Sequence, residues 1–370
     1  MTTDSREAER VKSALPATLN GVLHAFVAFD WGEEIDLRRA TTLNAPQSVA
    51  PVSRPITIAY RPRPLHFALP PVELDLPTGR HQATAEAIVF DFAAVSVALH
   101  VPFSLTPVEL SAVAASLSKP EAVHQVARAI LRPLFETLKP AIEGASWGEL
   151  TEEYFVFEFA PEQLSSDAVL AHASEWVAGL VRLEAEPLSP EEIAEAVRVQ
   201  LRYGRGDLLV ADWAAAVLID SQCDETLQLI EFANLQLLEF REIDNRLDER
   251  LTTAWGVVHA LARQRLPLWR PFTAQLRGLG ELKVEANTVF ERAQNVLKLV
   301  GDQYLARVYR LLSGRFHIDV WQENIQRSLD VIEGAYKVLA DQAAGWRTEL
   351  VELTIMLLLL VDIVLSVVRG

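Results

Sequence analysis

The side chains that could carry chemistry are few and widely spaced in this sequence. The Glu-x-x-His motif of Glu121 and His124 matches half of a carboxylate-bridged di-iron site, which needs a second copy that the sequence lacks. The eight histidines occur singly along the chain. We therefore predict no metal site.

Cysteine and glycine usage argues against two further kinds of site. Cys223 is the only cysteine, so the chain has no disulfide framework and no site built from several thiolates. Cys223 lies just before a predicted helix, and we expect it to be a small, buried apolar residue. The segment YGRGDLL at 203–209 has two glycines but lacks the Gly-x-Gly-x-x-Gly order of a phosphate-binding loop. We predict no catalytic residue, no cofactor and no enzymatic activity.

One predicted helix, at residues 225–251, has a polar side. Four polar residues spaced by seven, three and four share that side: Asn234, Arg241, Asp244 and Asp248. Two interpretations remain open. This side is either solvated, with ordinary ion pairs between neighbouring turns, or a buried polar network centred on Arg241 that docks the helix onto the first domain.

A basic stretch at residues 263–277 reverses the local sign of charge in an acidic chain. It contains four arginines, two aromatic residues and no acid; the six are Arg263, Arg265, Trp269, Arg270, Phe272 and Arg277. Arginine beside tryptophan suits contacts with lipid headgroups or with RNA, although a loop can also be basic without a partner. We predict that these residues contact a membrane surface.

The C-terminal segment 353–370, LTIMLLLLVDIVLSVVRG, is the most apolar run and contains one acid, Asp362. About sixteen residues make roughly 24 Å of helix, which is short for a hydrocarbon core of about 30 Å. An acid near the middle costs about 2.5–3.5 kcal/mol on insertion scales, which the leucines can outweigh. We predict a membrane anchor in which Asp362 is neutral or paired within an oligomer. The alternative is a buried core helix.

Composition limits the fold and the partners. The 370 residues suffice for about two domains with a full core. The net charge of −16 argues against sequence-independent nucleic-acid binding, because that requires clustered lysine and arginine. We predict a protein partner of unknown identity and no direct DNA binding.

The positions of proline separate two kinds of secondary structure. All 19 prolines lie at or before Pro271, so the residues after it can form long uninterrupted helices. Runs rich in β-branched and aromatic residues indicate strands at 21–37, 55–60, 64–69, 85–101 and 153–160. Residues 207–220 indicate either a final strand pair or one long buried strand. Helices are predicted between them at 106–118, 120–138, 165–182 and 190–202.

These patterns predict an α+β fold. A frayed or helical tail at 1–15 precedes a strand-rich α+β domain at 16–222. A helical domain follows at 223–352, where apolar residues recur at spacings of three, four or seven in two long helices, which indicates an antiparallel coiled-coil hairpin. The apolar segment 353–370 completes the chain.

Several of these segments resemble a known family. The stretches YGRGDLLVADWAAAVLID and LIEFANLQLLEFREIDNRLD, with the helices after them, are similar to the "required for meiotic nuclear division" (RMD/Sad1-interacting factor-like) family over residues 153–370. The resemblance implies an α+β domain, then a helical hairpin ending in a membrane segment, without established enzymatic activity. It also implies a role like that of the mitochondrial member, a ribosome-associated anchor that supports translation at the inner membrane. The tail differs in having Asp362 where a glutamate is expected.

We therefore predict a non-enzymatic, membrane-associated scaffold that presents its α+β domain to a partner, by resemblance the translation machinery. It is expected at the cytoplasmic face of a membrane, held by its C-terminal segment. The alternative is a soluble, cytoplasmic helical interaction protein whose apolar tail is buried in the core of a homo-oligomer.

Overall fold

The computed structural model describes residues 15–43, 50–51, 62–262 and 302–334, with 284, 287, 337, 352 and 354–359. The chain divides into two compact units. The first is Met1–Glu239 with Arg292–Asp319, and the second is Phe240–Glu291 with Val320–Gly370. The domain boundaries proposed from the sequence stay a prediction.

The first unit is built on a mixed sheet. The described strands are β1 (Leu19–Asp30), β2 (Glu34–Ile35), β3 (Ala50–Pro51), β4 (Leu65–Leu76), β5 (Gly79–Val89), β6 (Ala94–Leu105), β7 (Ile142–Glu143), β8 (Thr151–Phe159), β9 (Gln200–Leu201), β10 (Leu208–Ala211) and β11 (Ala215–Ile219). Nine of them form one sheet in the order β3-β4-β5-β6-β1-β8-β11-β10-β9, while β2 pairs with β7. The pair β8–β11 is parallel and the other described pairs are antiparallel.

Strand β1 explains why the sheet has two different faces. Successive side chains of a strand point to opposite faces. Leu23, Ala25 and Val27 therefore point to the face that forms the main apolar core. His24 and Phe26 point to the other face, and both are also buried. A strand buried on both sides must be covered by helices on both sides.

The main core lies between the first face and a set of short helices. In the described part of the chain these are α1 (Leu37–Thr42), α2 (Pro107–Ser116), α3 (Glu121–Leu138), α4 (Ser166–His172), α5 (Ser174–Arg182) and α6 (Pro190–Arg198). Helix α2 begins with a capping box, in which Thr106 Oγ1 accepts from the Glu109 N–H and the Glu109 carboxylate accepts from the Thr106 N–H. The cap fixes the point at which the chain leaves β6.

The second face packs against α8 (Gln303–Arg315) and against residues 224–239, the part of α7 (Asp224–Ala262) that belongs to the first unit. The rings of Tyr154 in β8 and Phe316, just after α8, meet edge to face at 5.2 Å. The hydroxyl of Tyr309 in α8 donates to Oε1 of Gln236 in α7 at 2.6 Å, and both residues are buried. This hydrogen bond joins the two helices inside the buried layer.

The predicted α+β class is confirmed, since a mixed sheet with helices is followed by C-terminal helices. Three predicted elements are each divided in two. The strand predicted at 21–37 forms most of β1 and all of β2. Residues 85–101 form the end of β5 and most of β6, because the chain turns where Ala93 has a φ of 62°. Residues 165–182 form α4 and α5, which meet at Ala173. The strand predicted at 55–60 lies outside the described residues.

The second unit is helical where it is described. Residues 240–262 continue α7, and residues 320–334 are also helical. Ile325, Leu329 and Ile332 are spaced by four and three and are buried, in keeping with a single apolar stripe. The coiled-coil hairpin is not confirmed, since most of residues 263–301 and 335–370 lie outside the described part.

The structure contradicts the prediction of a transmembrane helix. In the described part of the chain, no helix is long and apolar enough to cross a membrane. Of the segment 353–370, only residues 354–359 belong to the part that the structure describes. A spanning helix needs about 20 apolar residues. The structure therefore gives no support for a C-terminal membrane anchor.

Candidate functional site

Two histidines face each other at the centre of the sheet. His24 in β1 and His100 in β6 are direct partners in the antiparallel register, and their Nδ1 atoms lie 2.7 Å apart. His24 is buried and His100 is half-buried. A contact this short requires one Nδ1 to carry a proton and the other to accept it. In this geometry the pair therefore holds at most one positive charge.

The carboxylate of Glu158 extends this contact into a chain of three groups. Glu158 lies in β8, on the other side of β1, and its Oε2 is 2.6 Å from Nε2 of His24. Since an ionised carboxylate only accepts, His24 is the donor. A proton that reaches His24 at Nδ1 from His100 can leave from Nε2 to Glu158. The arrangement can thus relay a proton through one imidazole ring.

The same groups set the charge of Glu158 and of Cys223. Burial alone would raise the pKa of Glu158, but hydrogen bonds from His24 and Cys223 outweigh it and hold that pKa below its ordinary value. Burial, with the nearby Glu158 carboxylate, raises the pKa of the Cys223 thiol above its ordinary range. Cys223 is therefore a neutral thiol, although a position at a helix start ordinarily favours the thiolate.

These residues line a cavity of about 370 Å³ between the second face of the sheet and the start of α7. Its polar and ionisable lining residues are His24, His66, Thr84, Glu86, His100, Glu158, Cys223, Asp224, Gln228 and Glu231. Its apolar lining residues are Val22, Phe26, Ile88, Ala98, Pro102 and Leu227. A cavity of this size falls within the range of small-molecule sites.

Strand and helix periodicity brings these distant residues together. Alternate residues of β1, β5 and β6 face the cavity, as expected for side chains on one face of a sheet. The α7 residues that line it are spaced by three, one and three, which places them on one side of the helix: Asp224, Leu227, Gln228 and Glu231. Asp224 is exposed, whereas Glu231, about 10 Å further along the helix, is buried. The lining contributed by α7 thus runs from an exposed residue to a buried one.

A separate ion cluster joins three helices to the β10–β11 hairpin. Asp212, in the hairpin turn, is 2% exposed and lies 3.0 Å from Nε of Arg182 in α5. Arg315 in α8 lies 3.6 Å from the same carboxylate and 2.7 Å from Glu195 Oε1 in α6. Arg182 also contacts Glu192 and Glu195. Since the two arginines and their acids satisfy one another, the cluster has the pattern of a structural network.

The four polar residues predicted to share one side of α7 have different surroundings. Asn234 is buried, and its side-chain amide donates to the backbone carbonyl of Glu152 at 3.1 Å. Burial, with the neighbouring charge of Asp248, raises the pKa of Asp244. Arg241 is half-buried. A network centred on Arg241 stays a prediction.

The Glu-x-x-His motif lies outside the described lining of the cavity. His124 of the Glu-x-x-His motif lies 2.9 Å from Glu153 Oε2. Among the residues that the structure describes, no group of three or more His, Cys, Asp or Glu side chains is arranged to hold a metal ion. Seven residues proposed to contact lipid lie outside the described part: Arg263, Arg265, Trp269, Arg270, Phe272, Arg277 and Asp362.

The cavity was not predicted from the sequence, although the sequence contains a signal for it. Three of the eight histidines follow a leucine inside a predicted strand: His24, His66 and His100. In an alternating strand, a histidine beside a core leucine must point to the opposite face. Three such pairs therefore indicate a histidine-bearing sheet face. Their proximity depends on strand order, which no single segment reveals.

A short apolar helical segment in the second unit is exposed. Residues 354–359 are helical, and each large apolar side chain from position 355 to 359 is more than half exposed: Ile355, Met356, Leu357, Leu358 and Leu359. Five consecutive residues point to all sides of a helix. Exposed apolar surface of this kind commonly marks an interaction site.

Comparison with known proteins gives two matches. A family model described as "Uncharacterized protein MJ0711, N-terminal domain" matches residues 20–225. The chain is also 23% identical over 242 residues to the "Uncharacterized protein MJ0711" of Methanocaldococcus jannaschii, which covers 64% of this chain and 72% of that relative. No solved structure gives a significant match.

The match corrects the family prediction made from residues 153–370. Neither finding indicates the "required for meiotic nuclear division" family, so that prediction is wrong. The resemblance was based on an Asp-rich strand, a helix of the form E-x-A-N-x-Q-L-L-E-x-R, a long hairpin and an acidic-hydrophobic C-terminal segment. Such patterns are not specific to one family. The role in translation implied by that resemblance loses its support with it.

Proposed function

We propose that this chain, which belongs to the MJ0711 N-terminal domain family, is a non-enzymatic interaction protein that self-associates through its apolar segment 354–359. The observation that carries the proposal is the exposure of Ile355, Met356, Leu357, Leu358 and Leu359, between 51% and 64% each. A monomer would leave this surface in water. A second copy supplies an identical apolar surface to cover it.

The magnitude of this burial favours reversible assembly. Complete burial of one large apolar side chain contributes about 1.5–3 kcal/mol, so five that are somewhat more than half exposed offer roughly 5–9 kcal/mol. Association costs an estimated 4–15 kcal/mol in lost freedom. The segment alone therefore supports weak association. Since the exposed side chains surround the helix, several copies around one another bury more than two copies side by side.

Charge acts against this assembly and makes it dependent on salt. Each copy carries a net charge of −16, so copies repel one another at low ionic strength. Salt screens that repulsion over about 8–10 Å at moderate concentration, whereas burial of apolar surface is not weakened by it. We expect association to strengthen as salt is added. The same negative charge favours a protein partner over nucleic acid.

Sedimentation velocity at several protein and salt concentrations tests the proposal. The wild type should form oligomers that dissociate on dilution and tighten with salt. The variant Leu357→Glu/Leu358→Glu should remain monomeric, since it places two charges in the apolar contact. Val108→Glu is the matched control, because Val108 is an exposed apolar residue of helix α2 in the first unit. A monomeric wild type, or a variant that assembles like the wild type, overturns the proposal.

A further inference from the structure

The contact between His24 and His100 has room for one proton between the two rings. Their Nδ1 atoms lie 2.7 Å apart, so one atom must donate and the other must accept. When both imidazoles are protonated, each Nδ1 carries a hydrogen and neither can accept. The contact then becomes a repulsion between like charges, one of them on the buried residue His24. The rings can therefore stay together with one positive charge but not with two.

The rings have room to separate on the side of the cavity. Each histidine has a backbone partner on both sides, because β1 pairs with β6 and β8, and β6 pairs with β1 and β5. Both side chains line the cavity, whose opposite wall is formed by residues 224–231 of α7. A helix packs on a sheet through side chains, without a ladder of backbone hydrogen bonds between them. The start of α7 is therefore easier to displace than a central strand.

We propose that this pair is a pH switch, in which a second proton separates the rings and releases the first two turns of α7 from the sheet. The inference goes beyond self-association and does not depend on it, since all the groups involved belong to the first unit. Glu158 connects the pair to the helix, because it contacts both His24 and Cys223, the residue before α7. A change in the pair thus reaches the start of α7 through Glu158 as well as through the cavity.

The ionisable groups that share the cavity with the pair determine the pH range. They come from β4, β5, β8 and the start of α7: His66, Glu86, Glu158, Cys223, Asp224 and Glu231. The pKa of Glu158 lies below its ordinary value and that of the Cys223 thiol lies above it, so neither group changes charge in mild acid. Carboxyl groups ordinarily titrate near pH 4 and imidazoles near about 6.5. In the described lining, His66 is thus the other group expected to titrate together with the pair.

Proton linkage gives the direction and the size of the effect. While the rings are in contact, the pair accepts one positive charge, whereas two separated rings can each take up a proton. The separated state therefore binds one proton more in acid, and its population relative to the paired state should rise up to tenfold per pH unit. Acid favours the separated state, and neutral pH favours the paired one.

Hydrogen exchange of the full chain between pH 7.5 and pH 5 tests the switch. The amides of residues 228–231 are followed, because their α-helical partners are carbonyls one turn earlier. After correction for the intrinsic pH dependence of exchange, their protection should fall up to tenfold per pH unit below about pH 6.5. His100→Gln keeps a side chain that can hydrogen-bond to His24 but cannot take up the second proton, so it should remove this dependence. His66→Gln is the matched control and should retain it.

A second measurement uses the wild type alone and does not require a variant to fold. Nitrogen NMR of the imidazoles should show the His24–His100 pair titrating in two steps more than one pH unit apart. Scalar coupling between the two Nδ1 atoms across their hydrogen bond should disappear at the second step. Two independent single-step titrations overturn the proposal. So does protection of residues 228–231 that persists in acid, a pH dependence that His66→Gln removes, or one that His100→Gln retains.

Discussion

The imidazole rings of His24 and His100 meet across the β1–β6 pair with 2.7 Å between their Nδ1 atoms. Their backbones are in register, so the contact follows from strand pairing alone and needs no unusual loop. Two protonated Nδ1 atoms cannot occupy these positions. The site therefore couples the protonation of one histidine to that of its neighbour.

Leaving one buried polar group without its partner usually costs about 1–3 kcal/mol. His24→Ala should lower the free energy of unfolding by more than this. The change removes the donor to Glu158 and the contact to His100 together. His172→Ala, at an exposed histidine in α4, is the control and should change stability little. Urea denaturation at neutral pH measures both. If both variants lose the same free energy of unfolding, the contacts of His24 with His100 and Glu158 do not stabilise the fold.

Glu158→Gln should remove a pH-dependent part of the stability. The folded state lowers the pKa of Glu158, so its ionisation stabilises the fold above the unfolded-state pKa of about 4.3. That contribution disappears as pH falls through the lower folded-state value. The difference between wild type and variant should thus be largest near neutral pH and shrink in acid. Denaturation curves across that range test this, and a difference that grows in acid would reverse the assigned sign.

Arg315→Ala should destabilise the first unit by about 3–5 kcal/mol, since it leaves buried Asp212 with one partner fewer. Arg198→Ala provides a matched control. Arg198 also pairs with Glu195, at 3.6 Å, but is 74% exposed, and surface pairs contribute about 0–1 kcal/mol. Thermal and urea denaturation measure the loss of stability in both variants. Equal effects would indicate that the buried cluster is no stronger than a surface pair.

Asp248→Asn should lower the pKa of Asp244 without restoring its ordinary value. Burial is the larger cause of the raised pKa, and the charge of Asp248 is the smaller one. Because the folded-state pKa is raised, Asp244 favours the fold more at low pH and loses that contribution as pH rises through it. Carboxyl-carbon NMR titration follows Asp244 directly. Asp330→Asn, at an exposed acid, should leave the titration unchanged.

Arg241→Ala distinguishes the two interpretations of the polar side of α7. A buried network centred on Arg241 predicts a loss of a few kcal/mol, whereas a solvated side predicts less than about 1 kcal/mol. The side chain is half-buried. A urea denaturation curve measures the change in the free energy of unfolding. A loss of less than about 1 kcal/mol would contradict the network.

The sequence predicts those features that depend on local periodicity. The apolar runs of β1, of β8 and of the β10–β11 hairpin are visible in short windows. The turn between β5 and β6 was missed because Ala93 takes a positive φ where glycine is usual. The break at Ala173 also lacks a glycine or proline, so packing determines it rather than local propensity.

The cavity could not be predicted in the same way. His24, His100 and Glu158 belong to three strands, and they meet only because β1 lies between β6 and β8. That order is a property of the whole sheet. The histidines could have been assigned to one face from their leucine neighbours, but Glu158 and Cys223 gave no comparable signal.

The central position of β1 also sets an order of events during synthesis. Residues 19–30 leave the ribosome before both of their partner strands. Strand β1 pairs with β6 on one side and with β8 on the other, and β8 follows only after α2 and α3. Until residues 151–159 emerge, one edge of an apolar strand has no partner. An open strand edge is a template for pairing with other chains. The nascent chain is therefore most prone to aggregate before β8 is made, and a fragment ending before residue 151 should share that weakness.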